Sequence, residues 1–229
     1  MQALILVDLQ NDFFETGELP VPDAESLLPV INQLLTLPFY RRIALKDYHP
    51  QKHCSFASTH HKAAGSYIEL PDGLEQKLWP DHCLQGSKGS DLAFDLDICQ
   101  IDTIITKGAY PDVDSYSGFF DNGKKHKTAL DSYLKEHQIK ELFLAGLCTD
   151  YCVRYTALDA LSLGYKVWII EDACRGTDPS PQGKEEAIQY LRERGALITN
   201  SSEISSLIKT NRKRGPSSGV PAHVRYINA

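Results

Sequence analysis

The sequence predicts an α/β fold in which a mainly parallel sheet is covered by helices on both faces. Two patterns carry that expectation. Short apolar or β-branched runs alternate with amphipathic stretches along most of the chain. The helical stretches of its second half each fall between two strand-like runs, the order that builds parallel sheets. A chain of 229 residues can bury one substantial core, so a single folded domain is expected over residues 1–209.

Each element follows from its own stretch. Residues 2–7 are an almost unbroken apolar run, suited to a strand buried on both faces. Residues 25–37 repeat apolar positions at helical spacing. Strands are then expected at 42–46 and 103–106, a helix at 129–137, a strand at 141–144 and a helix at 150–163. A strand at 166–170, a helix at 182–194 and a strand at 196–199 complete the pattern. Residues 49–96 break it, being rich in His, Gly, Pro and Ser, and a loop of that length is usually functional or disordered. Its four histidines beyond His49 favour function. From Thr210 the chain carries Arg212, Lys213 and Arg214 and then a Gly, Pro and Ser cluster, read as a solvated or docked extension over 210–229.

A net charge of −6 and a pI near 5.7 give no broad electrostatic reason to bind nucleic acid or an anionic membrane. The apolar runs are too short to cross a bilayer and no signal peptide precedes the first strand, so the expected location is the cytoplasm. The six cysteines are read as reduced thiols, because a chain of this size does not need disulfide staples.

Ligands of parallel sheets gather at the carboxyl ends of the strands, and several reactive side chains fall there. Asp8 ends the first strand and is a candidate base; alone it reads better as a strand-end acid capping a turn. Cys148 and Cys152 lie where a strand enters a helix, and Cys152 falls in the first turn, where the helix dipole favours thiolate. Taken singly, each is also a buried structural cysteine. Asp47 and His49 are two apart at a strand end, so both can point the same way. With His53 and His82 they offer mixed oxygen and nitrogen ligands suited to zinc, iron or manganese. Lys107 ends another strand and, if the edge is shared, joins Asp8 and Cys152 in an acid, cation and thiol cluster.

With these motifs in order, the sequence resembles the isochorismatase-like cysteine hydrolases and, within them, the nicotinamidases, from about residue 3 to residue 200. The resemblance implies a three-layer α/β/α, Rossmann-like domain with a six-stranded, mainly parallel sheet. It implies Cys152 as nucleophile, Asp8 as base and Lys107 as their cationic partner. Asp47, His49 and His82 match the ligands of one divalent metal ion, with zinc the first expectation and iron or manganese alternatives; whether His53 is an additional ligand stays open. A cis peptide is implied at Leu147 to Cys148, with the amides of Cys148 and Cys152 forming an oxyanion hole. Substrate-ring contacts match Phe13, Trp79, Leu19, Tyr116 and Tyr151, all of which also read as ordinary core packing. The implied activity is hydrolysis of nicotinamide, and also of pyrazinamide, through a cysteine thioester. The expected partner is therefore a small molecule, with no nucleic acid or membrane, and with room for a homo-oligomer.

Two rival readings stand beside this one. Another amidase or ureidohydrolase of the same superfamily is separated by metal analysis, because those relatives generally lack the Asp47, His49 and His82 features. A metal-binding or thiol redox protein without turnover is supported by the cysteines and the histidine-rich loop. A phosphate-binding loop, a dinucleotide glycine fingerprint and a serine nucleophile elbow do not occur in the sequence.

Overall fold

A computed structural model describes residues 1–177, 181–208 and 224–228. In chain order the elements are β1 (Gln2–Val7), α1 (Leu27–Thr36), β2 (Arg41–Asp47), α2 (Ala57–His60), β3 (Tyr67–Glu69), β4 (Glu75–Lys77) and β5 (Thr103–Lys107). There follow α3 (Leu130–Glu136), β6 (Glu141–Leu147), α4 (Arg154–Ser162), β7 (Lys166–Arg175), α5 (Pro181–Glu193), β8 (Leu197–Thr199), α6 (Ile204–Leu207) and β9 (Arg225–Ile227). All six expected strands and all four expected helices are present. The strands mostly run a few residues further toward their carboxyl ends than the sequence suggested. Pro29 falls in the first turn of α1, where its missing N–H breaks no helical bond.

The main sheet has the order β8-β7-β6-β1-β2-β5-β9, and every pairing in it is parallel. Among the described residues it has seven strands, where six were expected. The seventh comes from the expected C-terminal extension: Arg225 pairs with Thr103 and Ile227 with Ile105. A bare β5 edge would leave a row of backbone donors and acceptors unpaired, and β9 satisfies them. The extension is thus docked at 225–227, while its basic run at Arg212 to Arg214 lies outside the described residues.

Two cores sandwich this sheet, and the two-residue period of β1 assigns each side chain to one of them. Leu4 and Leu6 pack with Ile31 and Leu34 of α1, and Phe39 meets Phe143 edge to face within the same core. Ala3, Ile5 and Val7 face the other side with Leu130, Leu134, Ala157 and Ile188. The three-layer expectation holds. Among the described residues no helix is long and apolar enough to cross a membrane.

Successive strands are added on one side of β1 as far as β5 and then on its other side from β6 to β8, before β9 returns to the β5 edge. The crevice beyond the carboxyl ends at such a reversal is where ligands enter open parallel sheets. The irregular 49–96 stretch folds across this end. It carries α2 and the antiparallel β3-β4 pair, and it is fastened by bridges from His49 to Leu84 and from Phe56 to Trp79.

Candidate active site

Four strands deliver reactive groups to one edge. Asp8 follows β1, Asp47 ends β2, Lys107 ends β5 and Cys148 follows β6. At Asp8 the chain turns through the left-handed region (φ 52°), a conformation that Asp tolerates better than most residues, and this turns the strand end out of the ladder. Gly146 (φ 123°) sits at an irregularity in β6 where an added Cβ would strike the carbonyl of Val7. Only glycine lets β6 come this close to β1 immediately before Asp8. The peptide from Leu147 to Cys148 is cis, as expected, and a single π-helical turn, Thr149–Val153, carries Cys152.

Asp8, Lys107 and Cys152 come together and are all buried. The Lys107 ammonium lies 3.0 Å from Asp8 Oδ2, 2.5 Å from Asp47 Oδ1 and 3.4 Å from Cys152 Sγ, and it donates to the Ser115 carbonyl at 3.0 Å. The Asp8 contact is an ion pair without a directed hydrogen bond, and neither Asp8 oxygen accepts a directed bond. A buried carboxylate with open lone pairs is suited to receive a proton. Burial raises the Asp8 carboxyl to about 6, against the pull of Lys107 and with a push from Asp47. Burial also holds the Cys152 thiol well above its ordinary range despite the nearby ammonium. Lys107 stays charged, because its two carboxylates outweigh desolvation. The resting pair is therefore a thiol beside a carboxylate.

Asp47, His49 and His82 form a second buried group, their ligating atoms all within 4.8 Å of one another. Asp47 Oδ2 lies 3.6 Å from His49 Nε2 and 3.9 Å from His82 Nε2. The other nitrogen of each ring is spent on a carbonyl: His49 Nδ1 on Gly108 at 2.9 Å and His82 Nδ1 on Pro80 at 2.8 Å. That bond leaves both Nε2 atoms facing Asp47, an arrangement typical of metal-ligating histidines. At Gly108 (φ 66°) an added Cβ would come 2.5 Å from the His49 ring, so glycine makes room for it. Burial would raise the Asp47 carboxyl, but Lys107 and His49 override it and hold it far below the usual carboxylate range. The donor set fits a divalent cation. His53 does not join it in the same way, because its Nδ1 meets Ser55 Oγ at 2.7 Å and its Nε2 meets the Val113 carbonyl at 3.3 Å.

Between the two groups lies a cavity of about 180 Å³, below the usual range for drug-sized ligands and so suited to a single small ring. Phe13, Leu19, Trp79, Tyr116 and Tyr151 all line it, together with Cys148 and Cys152. Gln10 and Asp114 are among the contributors that sequence reasoning missed. Gln10 clamps the backbone of Asp47, accepting its N–H at 2.7 Å and donating to its carbonyl at 2.7 Å. It stands in the same run as Asp8, but a side-chain amide gives no sign of which distant backbone it will meet. Asp114 is a buried acid on the cavity wall, accepting the Ser115 N–H at 2.7 Å and Gln76 Nε2 at 3.2 Å. An unexpectedly acidic position among Ser and Tyr was its only signal.

Comparison with known proteins agrees with this geometry. Residues 2–203 match the family model described as Isochorismatase domain. The chain is 48% identical over 200 residues to a nicotinamidase of Escherichia coli, covering 86% of this chain and 93% of that one. Its backbone is similar to that of a nicotinamidase and pyrazinamidase of Acinetobacter baumannii, with a TM-score of 0.83, 40% identity, and 89% and 97% of the two chains covered. A pyrazinamidase of Pyrococcus horikoshii solved in complex with zinc gives a TM-score of 0.66 at 31% identity over 87% and 98% of the two chains.

Proposed function

This chain belongs to the isochorismatase domain family, and from that premise we propose that it hydrolyses the carboxamide of nicotinamide to nicotinate and ammonia, and accepts pyrazinamide. The observation that carries this reading is the Cys152 sulfur, 3.4 Å from Lys107 and within 4.8 Å of an Asp8 oxygen, at the floor of a small aromatic-walled cavity. The hydrolase domain would span 1–209, with the extension adding the edge strand β9 to its sheet. Six free thiols fit a reducing compartment such as the cytoplasm.

In the proposed reaction Asp8 takes the Cys152 proton as the sulfur attacks the amide carbon. Transfer and attack run together, because burial disfavours a free thiolate before substrate arrives. The amides of Cys148 and Cys152 hold the developing oxyanion. Asp8 then returns the proton to the departing nitrogen, ammonia leaves, and a thioester remains on Cys152. Asp8 next draws a proton from water, which attacks the thioester; the carbon–sulfur bond breaks, Asp8 gives that proton to the Cys152 sulfur, and nicotinate leaves. Lys107 balances the charge of Asp8 throughout.

Asp47, His49 and His82 would hold one divalent cation, with zinc the first choice given the zinc-bound pyrazinamidase relative. When bound, that ion offers a Lewis-acid site for the ring nitrogen and orients the ring rather than activating the hydrolytic water. Phe13, Trp79 and Tyr151 flank the ring, with Leu19 and Tyr116 closing the wall. Ammonia release from nicotinamide and pyrazinamide by the purified chain tests the reading. Turnover of both is expected; no ammonia from nicotinamide, with hydrolysis of a ureido compound instead, would move the chain to another activity of the superfamily.

A further inference from the structure

On the outer side of the aromatic wall, one ammonium fastens two distant pieces of chain. Lys77, the last residue of β4, holds its Nζ 4.4 Å from the centroid of the Trp79 ring and 5.1 Å from that of Tyr151, and donates to Tyr151 Oη at 2.9 Å. Trp79 and Tyr151 meet edge to face at 5.0 Å. Trp79 Nε1 in turn donates to Tyr116 Oη at 3.1 Å, and Tyr116 packs edge to face on Tyr151 at 5.4 Å. Trp79 stands three residues before His82, and Tyr151 immediately before Cys152. The Lys77 contacts therefore span from the segment that carries a metal-type histidine to the turn that carries the sulfur.

We propose that Lys77 is a positioning residue for substrate: it clamps Tyr151 against Trp79 and so sets the width of the ring slot between His82 and Cys152. The inference rests on the reading of the cavity as a pyridine carboxamide site. Lys77 does not line that cavity, so it acts through the two rings. A cation over an aromatic face is attracted by the ring quadrupole, and a Tyr151 hydroxyl that accepts from Lys77 is fixed in orientation. Methionine loses both interactions, and glutamine loses the cation. Tyr151 then has to be ordered when the ring binds, a cost paid at association and not at the sulfur. The effect falls on KM, and kcat is largely spared.

The test is steady-state nicotinamide hydrolysis by the metal-loaded wild type, K77M, K77Q, K77R, Y151F and K77M/Y151F. K77M and K77Q should raise KM roughly 3-fold to 10-fold with kcat within about twofold, the range expected for losing a half-exposed cation–π contact and one hydrogen bond. K77R, which keeps the cation, should stay within about twofold of wild type in both constants. The K77M penalty should shrink in the Y151F background, because contacting residues are not additive. Unchanged KM in K77M and K77Q, K77R as impaired as K77M, or full additivity with Y151F would overturn the proposal. A wild type inert toward nicotinamide would instead remove the reading beneath it, and the proposal with it.

Discussion

Lys107 is held closer to Asp47 than to Asp8, 2.5 Å against 3.0 Å, so one buried ammonium joins the metal-type group to the sulfur group. Removing it would leave two buried carboxylates without their shared counter-ion, and breaking a buried pair in this way costs about 3–5 kcal/mol. Lys107→Met is therefore expected to lose activity and to unfold at lower urea. Excess zinc should recover part of the stability, because a cation bound at Asp47 gives one of the two stranded carboxylates a counter-ion. A Lys107→Met chain as stable as wild type without metal would show that the ammonium is not the electrostatic link between the groups.

Asp8 predicts an acid limb to the rate. The base works as a carboxylate, and burial, opposed by Lys107, raises its titration to about 6. Protonation then removes the base as pH falls through that value, so kcat/KM should drop about tenfold per pH unit below it. A cation at Asp47 offsets the carboxylate that helps to raise Asp8, so the metal-loaded enzyme should titrate lower than 6. An acid limb that stays in Asp8→Asn, measured on its residual rate, would assign the titration to another group.

His49→Ala is expected to lower bound metal and raise KM. The His49 ring supplies one of two Nε2 atoms facing Asp47, and its other nitrogen is already committed to Gly108. Metal stoichiometry by elemental analysis checks this; unchanged metal content would remove His49 from the ligand set.

Gln10 should matter although it touches neither sulfur nor metal-type nitrogens. Gln10→Ala strips both backbone bonds from Asp47 in a buried setting, and loss of such outer support typically weakens metal binding 10-fold to 100-fold. Metal affinity by competition with a chelator gives the readout, and wild-type affinity would make the clamp dispensable.

The sheet was legible in the sequence because an apolar run such as 2–7 suits a strand buried on both faces, although β6 and β7 run past their expected ends. Asp8 and Lys107 were legible as strand-end charges that a shared edge would bring to Cys152, and the family resemblance gave them their roles; the contact of Lys107 with Asp47 was not foreseen. What stayed hidden depends on long-range encounters that no local pattern encodes. Gln10 finds the backbone of a residue 37 positions away. The strand at 225–227 is three residues long and polar at its start, with no periodicity to announce it, and β5 recruits it by its open edge. The commitment of His53 to Ser55 and Val113 was equally invisible, so spacing alone left it among the ligand candidates.

The most direct measurement is nicotinamide turnover by Cys152→Ala, with metal content and thermal melting followed on the same sample. Turnover should fall by about 10,000-fold or more, while the melt and the metal content stay at wild-type values. Ammonia release near the wild-type rate from a folded, metal-loaded Cys152→Ala protein would contradict the account.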